Sequence, residues 1–187
     1  MAGGQEAAKR MRERAERMRN HTPALKVFCA VVDKATADAF DRAADTEGRP
    51  FKRLAPSTLE ARVRKVKGAR RKSRRPGTKG RLTQGAKDIR TVAGKFEKPL
   101  TNTAVARNSA RCRVSGVNRA TWSAVGYLGP HMSGATGAGT KHNVTIPKRN
   151  PTVFDVDKDS GKARLKPRFE AELTRLIRVY VETGKAA

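Results

Sequence analysis

The stretch Phe169–Val181, FEAELTRLIRVYV, carries the clearest structural signal in the chain. Its large apolar residues recur at intervals of three and four positions, which places them on one face of an α-helix and leaves the charged residues on the other face. The spacing therefore predicts an amphipathic helix near the end of the chain. We expect five of its residues to pack in the core or in a subunit interface: Phe169, Leu173, Leu176, Ile177 and Tyr180.

Residues 1–22 are predicted to form a helical arm. Met11, Ala15 and Met18 lie at spacings of four and three, so residues 5–19 read as a charged helix with a narrow apolar stripe. Such a helix is only marginally stable on its own, and we expect the stripe to pack on a neighbour.

The remaining chain, residues 23–187, is predicted to be a single domain that opens with a second helix. Thr22 suits a helix N-cap and Pro23 suits the first helical position, where the missing N–H costs nothing. The apolar face of this helix continues to about Asp45.

Alternating side-chain types predict strands in the second half of the chain. Residues 111–115 and 120–127 alternate well, and residues 142–147 form another β-like run. Residues 126–141 are rich in Gly, Ser and Thr and are predicted to be a loop. Short helices are predicted after Ser57 and just before the first strand. The predicted fold class is α+β: a small antiparallel sheet packed with helices, an N-terminal helical arm, a long basic loop and a C-terminal amphipathic helix.

The composition bounds the fold and the partners. The chain has 187 residues, enough for one domain with a core, and 42 Lys and Arg against 17 Asp and Glu give it a net charge of +25. Such a field attracts nucleic acid or another anionic surface. No segment approaches the roughly 18 apolar residues of a membrane span. Cys29 and Cys112 stand without a CxxC motif or a secretory leader, so we predict two reduced core thiols in a cytosol-like environment.

The basic charge is concentrated in one run. Eleven Lys or Arg and no acid lie between Arg62 and Arg81, within a segment whose part at about 68–94 is predicted to be an extended arm. This density favours contact with phosphates or with an acidic partner over a merely solvated loop. No aromatic residue lies between Phe51 and Phe96, so no platform for base stacking is present there, and we expect the run to recognise charge rather than sequence. The predicted contact residues are Arg64, Lys65, Lys67, Arg70, Arg71, Lys72, Arg74, Arg75, Lys79 and Arg81.

Other chemistries find little support in the sequence. Residues 134–141 resemble a P-loop, but Thr140 and Lys141 stand in the reverse order and a β-like run follows instead of a helix. The three histidines have no metal-ligand spacing, and the acids form no catalytic cluster. We therefore predict no catalytic residue, no metal and no cofactor.

Four segments resemble motifs of one known family, the phage virion-morphogenesis or tail-completion proteins of Mu-like and P2-like phages. Residues 39–62, AFDRAADTEGRPFKRLAPSTLEAR, resemble the family's opening signature. Leu100-Thr101-Asn102-Thr103 resembles its helix start, His131-Met132-Ser133-Gly134 its His-x-x-Gly turn, and Ile146-Pro147-Lys148-Arg149 its Ile-Pro-x-Arg segment. The chain departs from the family pattern before the His-x-x-Gly turn, after the Arg of the Ile-Pro-x-Arg segment, and in the length of the basic arm.

The resemblance implies a non-enzymatic component of the phage neck. Such a subunit joins head to tail as a homo-oligomeric ring, with a hexamer favoured and a dodecamer possible, around the channel for double-stranded DNA. The implied protein partners are the head connector or adaptor and the tail terminator or tail tube; no membrane and no small-molecule substrate are implied. The implied location is the virion, after assembly in the host cytoplasm.

Two other function classes compete with this interpretation. A ribosome-associated or nucleoid protein that binds nucleic acid without sequence preference would share the strongly basic composition. A nuclease is the weakest alternative, because the sequence has no evident cluster of metal-binding carboxylates.

Overall fold

A computed structural model of the chain describes residues 2–54, 105–138, 144–157, 160 and 162–186. The described part is mixed α+β, with five helices and three two-stranded antiparallel sheets. This confirms the predicted fold class, with three small sheets in place of one. The basic run, the extended arm, the helix predicted after Ser57 and the helix start at Leu100 lie outside the described residues.

The chain begins with two consecutive helices, α1 (Ala2–Arg19) and α2 (Thr22–Arg42). Between them, Asn20 Oδ1 accepts a hydrogen bond from the Thr22 backbone N–H at 3.0 Å. The prediction that Thr22 caps α2 is wrong: His21 occupies the N-cap position, Thr22 is the first helical residue, and the Thr22 N–H is bonded by Asn20, which precedes the cap. At its other end α2 stops at Ala43, which has the left-handed backbone of a helix C-cap.

A tight turn follows α2 and returns the chain along the end of that helix. Asp45 Oδ1 accepts hydrogen bonds from the backbone N–H groups of Glu47 and Arg49 at 2.9 and 2.8 Å. Gly48 has φ +88°, a conformation that residues with a side chain rarely adopt. The turn brings Phe51 back to Ala43, where its N–H donates to the carbonyl at 2.8 Å.

The short helix α3 (Val105–Ser109) leads into a β-hairpin made of β1 (Arg111–Gly116) and β2 (Arg119–Ser123). Both strands agree with the sequence-based prediction, although the second is shorter than expected. The two-residue connection includes Asn118 at φ 58°, a left-handed conformation that asparagine tolerates. Cys112 and Val114 face α2, while the alternate residues of β1 face solvent.

The loop predicted at residues 126–141 is wrong in its first part. The structure has a six-residue helix there, α4 (Leu128–Ser133), followed by β3 (Ala135–Ala138), which pairs with β4 (Val144–Ile146). Leu128 and Met132 lie one helical turn apart and are both buried, which stabilises α4 by roughly 1.5–3 kcal/mol per side chain.

A third hairpin, β5 (Phe154–Val156) and β6 (Ala163–Leu165), leads into the last helix, α5 (Pro167–Thr183). The amphipathic helix predicted near the C-terminus is therefore confirmed. Asp155 lies on β5.

The main core lies where α2, β1 and α5 meet. Its buried members include Phe28 and Val32 from α2 and Phe169 and Leu176 from α5. The structure places Leu173, Ile177 and Tyr180 at the edge of this cluster, partly buried against it. A second cluster surrounds Phe40 and holds α3 and α4 to the end of α2.

The prediction of two reduced thiols is wrong. Cys29 on α2 and Cys112 on β1 form a disulfide, with their Cα atoms 4.9 Å apart. The two residues are 83 positions apart in the chain and are brought together only by the packing of β1 on α2. Their spacing alone therefore carried no sign of pairing.

Candidate functional site

The basic residues predicted to contact phosphate lie in segment 55–104, outside the described part of the chain. Their predicted role is untested and stays a prediction. The described residues contain two other charged features: a buried junction centred on Arg149, and a basic surface on the first hairpin.

Arg149 is a buried cation that joins three distant segments. Its exposed fraction is 7%, which is unusual for arginine. The guanidinium donates from Nε to the Lys52 carbonyl at 3.1 Å and from Nη2 to the Arg53 carbonyl at 3.4 Å. Its backbone N–H donates to the His131 carbonyl at 2.7 Å. Arg149 thereby connects the turn after α2 to the end of α4.

The glycine after α4 allows the close packing of these segments. Gly134 has φ +77°, and a Cβ atom there would lie 3.3 Å from the Lys148 backbone nitrogen and 3.4 Å from the Ile146 carbonyl oxygen. Any larger residue would both strain the backbone and push the segment before Arg149 away. We call the joined segments Lys52–Arg53, His131–Gly134 and Ile146–Arg149 the Arg149 junction.

Burial and the neighbouring guanidinium both favour the neutral form of the histidine in the junction. Burial lowers the pKa of His131, and the positive charge of Arg149 lowers it further. His131 Nδ1 is buried and has no hydrogen-bond partner within the described part of the chain. A protonated ring would place a second cation beside the guanidinium, so the neutral imidazole is the form that fits this site.

A second buried cation lies nearby, at the start of α5. Lys166 is 4% exposed, and its ammonium group donates to Thr46 Oγ1 at 2.8 Å. Burial lowers the pKa of Lys166, and the carboxylates of Asp155, Asp45 and Glu47 oppose that shift. The Thr46 hydroxyl in turn donates to the Thr152 carbonyl at 3.1 Å. Lys166 thus links the turn after α2 to the segment before β5, as Arg149 links it to α4.

Beside Lys166 lies an open cleft of about 410 Å³, whose lining includes Asp45, Glu47, Arg49 and Lys148. The side chains that line it are mainly charged and polar. Near it, Arg149 donates to a backbone carbonyl and Lys166 to a hydroxyl.

Within the described ranges no group of three or more His, Cys, Asp or Glu could hold a metal ion. None of the described helices is long and apolar enough to cross a membrane.

The first hairpin presents a basic surface to solvent. Arg111 and Arg113 lie on the outward side of β1, with Ser123 and Thr121 directly opposite them on β2. Arg119 lies two residues before Thr121 and therefore on the same side. We call this surface the hairpin face; all of its members are exposed: Arg111, Arg113, Ser115, Arg119, Thr121 and Ser123.

Acidic residues are missing from this part of the chain. The sequence contains no Asp or Glu between Glu97 and Asp155. Within the described part of the chain, the arginines of the hairpin face make no salt bridge, whereas Arg10, Arg42, Arg49, Arg107 and Arg175 each pair with a carboxylate. The hairpin face therefore has uncompensated positive charge.

Comparison of the chain with protein families, with characterised proteins and with solved structures finds no match.

Two features of the site were missed from the sequence. The burial of Arg149 and Lys166 has no local signal, because basic residues are exposed by default. The hairpin face did have a local sequence signal. The alternation Arg-Cys-Arg-Val in residues 111–114, inside the long acid-free stretch, indicates a strand with one basic side.

Proposed function

We propose that the chain is a structural subunit of a phage neck, a tail-completion protein that forms a ring around the DNA channel between the head connector and the tail. The observation that carries the proposal is the Arg149 junction. Three of the four segments that resemble the family's motifs contribute to it: the opening signature through Lys52 and Arg53, the His-x-x-Gly turn, and the Ile-Pro-x-Arg segment.

This meeting supports the resemblance for a simple reason. Short motifs that match a family by chance have no cause to lie together in space. Here the arginine of one motif bonds the backbone of the two others, across 97 residues to Lys52 and 18 to His131, and the glycine of the turn is needed for that packing. The residues that match the motifs thus connect distant segments of one domain, as expected for a structural protein.

The N-terminal arm supports assembly into a ring. Met11 and Met18 are 74% and 59% exposed. The apolar stripe of α1, which was predicted to pack on a neighbour, therefore does not pack on the described part of its own chain. The side of α1 that lies along α5 is instead polar and includes Glu13 and Arg17. Because polar contacts hold the other side of α1 against α5, the apolar stripe stays exposed and is suited to packing on a second subunit.

The charge of the chain supports a position around DNA. A net charge of +25, concentrated in the basic run and on the hairpin face, attracts duplex phosphates without reading sequence. The small number of aromatic residues, two Tyr, six Phe and one Trp, fits a conduit for duplex better than a platform for single strands.

The proposal is tested by the oligomeric state of the purified full chain in about 1 M salt, where screening reduces the Debye length to about 3 Å. We expect native mass spectrometry and negative-stain microscopy to find closed rings of one stoichiometry. The double variant Met11→Ser/Met18→Ser should be monomeric. Val117→Ser removes an apolar side chain of similar exposure, 69%, from the hairpin tip and should still form rings.

Two results would count against the proposal. A monomer in high salt whose nucleic-acid binding disappears there would favour the ribosome-associated or nucleoid alternative. Absence of the chain from purified particles of the phage that encodes it, measured by mass spectrometry, would exclude a role in the finished neck.

A further inference from the structure

We propose that the hairpin face is a preformed surface for the phosphate backbone of duplex DNA, separate from the basic run. This inference rests on the proposed function, because it assigns the lumen-facing surface of the proposed ring. Its partner is the sugar–phosphate backbone, recognised through charge and hydroxyl groups and without base readout.

The chemistry of the face matches phosphate. Guanidinium groups and the hydroxyls of Ser and Thr are among the side chains that bond phosphate oxygens most often. On the hairpin face Arg111 and Arg113 lie opposite the hydroxyls of Ser123 and Thr121, and no carboxylate lies in residues 111–123 to compete for the arginines. Ser115 Oγ and Thr121 Oγ1 lie 2.8 Å apart, so this pair already holds its hydroxyls in one arrangement.

The spacing of the face also suits a nucleic-acid strand. Arg111 and Arg113 are two residues apart on β1, which separates their Cα atoms by about 6.8 Å. Neighbouring phosphates of one strand in duplex DNA are separated both along and around the axis, by more than the axial rise of about 3.4 Å per nucleotide, so the two long side chains can reach adjacent phosphates.

The hairpin is held rigidly from behind. Its inward residue Cys112 is bonded to Cys29 on α2, and the Cys112 backbone N–H donates to Asp33 Oδ1 at 2.7 Å. Trp122 packs against Phe154 with ring centroids 5.7 Å apart. Because the backbone is already ordered, binding at this face would lose less conformational entropy than binding by a free loop.

Acidic groups around the hairpin do not neutralise the face. Asp33 lies behind the hairpin, where it accepts a hydrogen bond from the N–H of the inward residue Cys112, and Asp41 is paired with Arg107 at 2.8 Å. At the tip, Asn118 donates to the backbone carbonyl of Arg19, the last residue of α1. An acidic protein surface would also attract the arginines, but the hydroxyls opposite them on β2 favour phosphate.

The test compares three variants of the full chain for binding to two duplexes of unrelated sequence across a salt series. The hairpin variant is Arg111→Ser/Arg113→Ser/Arg119→Ser. The matched control removes three exposed positive charges elsewhere, Lys162→Ser/Arg164→Ser/Arg178→Ser. The third variant replaces Arg70, Arg71, Lys72, Arg74 and Arg75 of the basic run by Ser. Unfolding midpoints check that each variant is folded.

We expect the hairpin variant to flatten the slope of log affinity against log salt by up to about 2.7 on both duplexes, because each phosphate neutralised by the wild type adds roughly 0.9 to that slope. The control should keep the slope of the wild type. If the hairpin variant keeps that slope while the basic-run variant flattens it, the inference is wrong and the proposed function stands.

Two other outcomes would also overturn the inference. Equal flattening in the hairpin variant and the control would do so, because charge alone would explain it. A wild type that forms rings but binds neither duplex overturns the inference without touching the ring, whereas a monomeric wild type counts against the proposed function itself.

Discussion

Replacing Arg149 by methionine tests whether the Arg149 junction holds the domain together. Methionine keeps much of the apolar volume of the arginine stem and removes the guanidinium. The variant therefore lacks two hydrogen bonds to backbone carbonyls, one of 3.1 Å and one of 3.4 Å. Charge-assisted bonds contribute about 1.5–3 kcal/mol each, so we assign about 2 kcal/mol to the shorter bond; the longer one is close to the distance limit of a hydrogen bond, and we assign it a smaller value of about 1 kcal/mol. The expected decrease in the free energy of unfolding is the sum, about 3 kcal/mol.

The assay is urea denaturation of the wild type, Arg149→Met, Arg149→Lys and the exposed control Arg164→Met. We expect Arg149→Lys to be destabilised about half as much as Arg149→Met, because an ammonium keeps the charge but cannot fork to two carbonyls. Arg164→Met should lie within about 0.5 kcal/mol of the wild type, as surface substitutions do. A destabilisation of Arg149→Met that is no larger than the control's would refute the reasoning.

A second readout separates the charge of Arg149 from its packing. The guanidinium lowers the pKa of His131, with burial as the larger cause. In Arg149→Met the pKa of His131, followed by NMR, should rise but stay below the ordinary value of 6.5. In Arg149→Lys it should stay close to that of the wild type. An unchanged value in both variants would mean that the imidazole and the guanidinium do not interact.

Two further predictions concern other parts of the fold. The pKa of His131 is lowered in the folded state, so below pH 6.5 the unfolded chain binds more protons, and the free energy of unfolding should fall as the pH drops through the folded pKa. His131→Gln should remove that fall. Equal acid sensitivity of the wild type and the variant in urea titrations would contradict this prediction. The disulfide between Cys29 and Cys112 closes a loop across 83 positions, so Cys29→Ala/Cys112→Ala should lower the free energy of unfolding by about 2–4 kcal/mol. Alkylation of both cysteines in the folded, unreduced wild type would show that the bond is not formed.

The parts of the fold that could be predicted are those with a repeating pattern. The stripe of Phe169 and Leu176 repeats over several turns of α5, and the alternation in β1 repeats along the strand, so neighbouring residues reinforce each other. The helix α4 has only two apolar residues one turn apart, with Gly129 and Pro130 between them. Pro130 lies in the first turn, where its missing N–H has no helical partner to lose, so the helix forms although the composition reads as a loop.

The site was harder to predict than the fold. Burial of Arg149 depends on two carbonyls almost a hundred residues earlier, and no pattern near Arg149 refers to them. The pairing of Cys29 with Cys112 likewise follows from the packing of a strand on a helix. Such features arise from the tertiary arrangement, and sequence reasoning reaches them only once the neighbouring elements are placed.

Asn118 makes one contact of the N-terminal helix depend on a part of the chain that is synthesised later. Its side chain accepts a hydrogen bond from the His21 N–H and donates to the Arg19 carbonyl at 2.9 Å, spanning the two-residue joint between α1 and α2. The ribosome makes this joint almost a hundred residues before it makes Asn118. The contact that braces the joint between α1 and α2 therefore forms only after the hairpin has been synthesised and closed, and a nascent chain halted earlier lacks it.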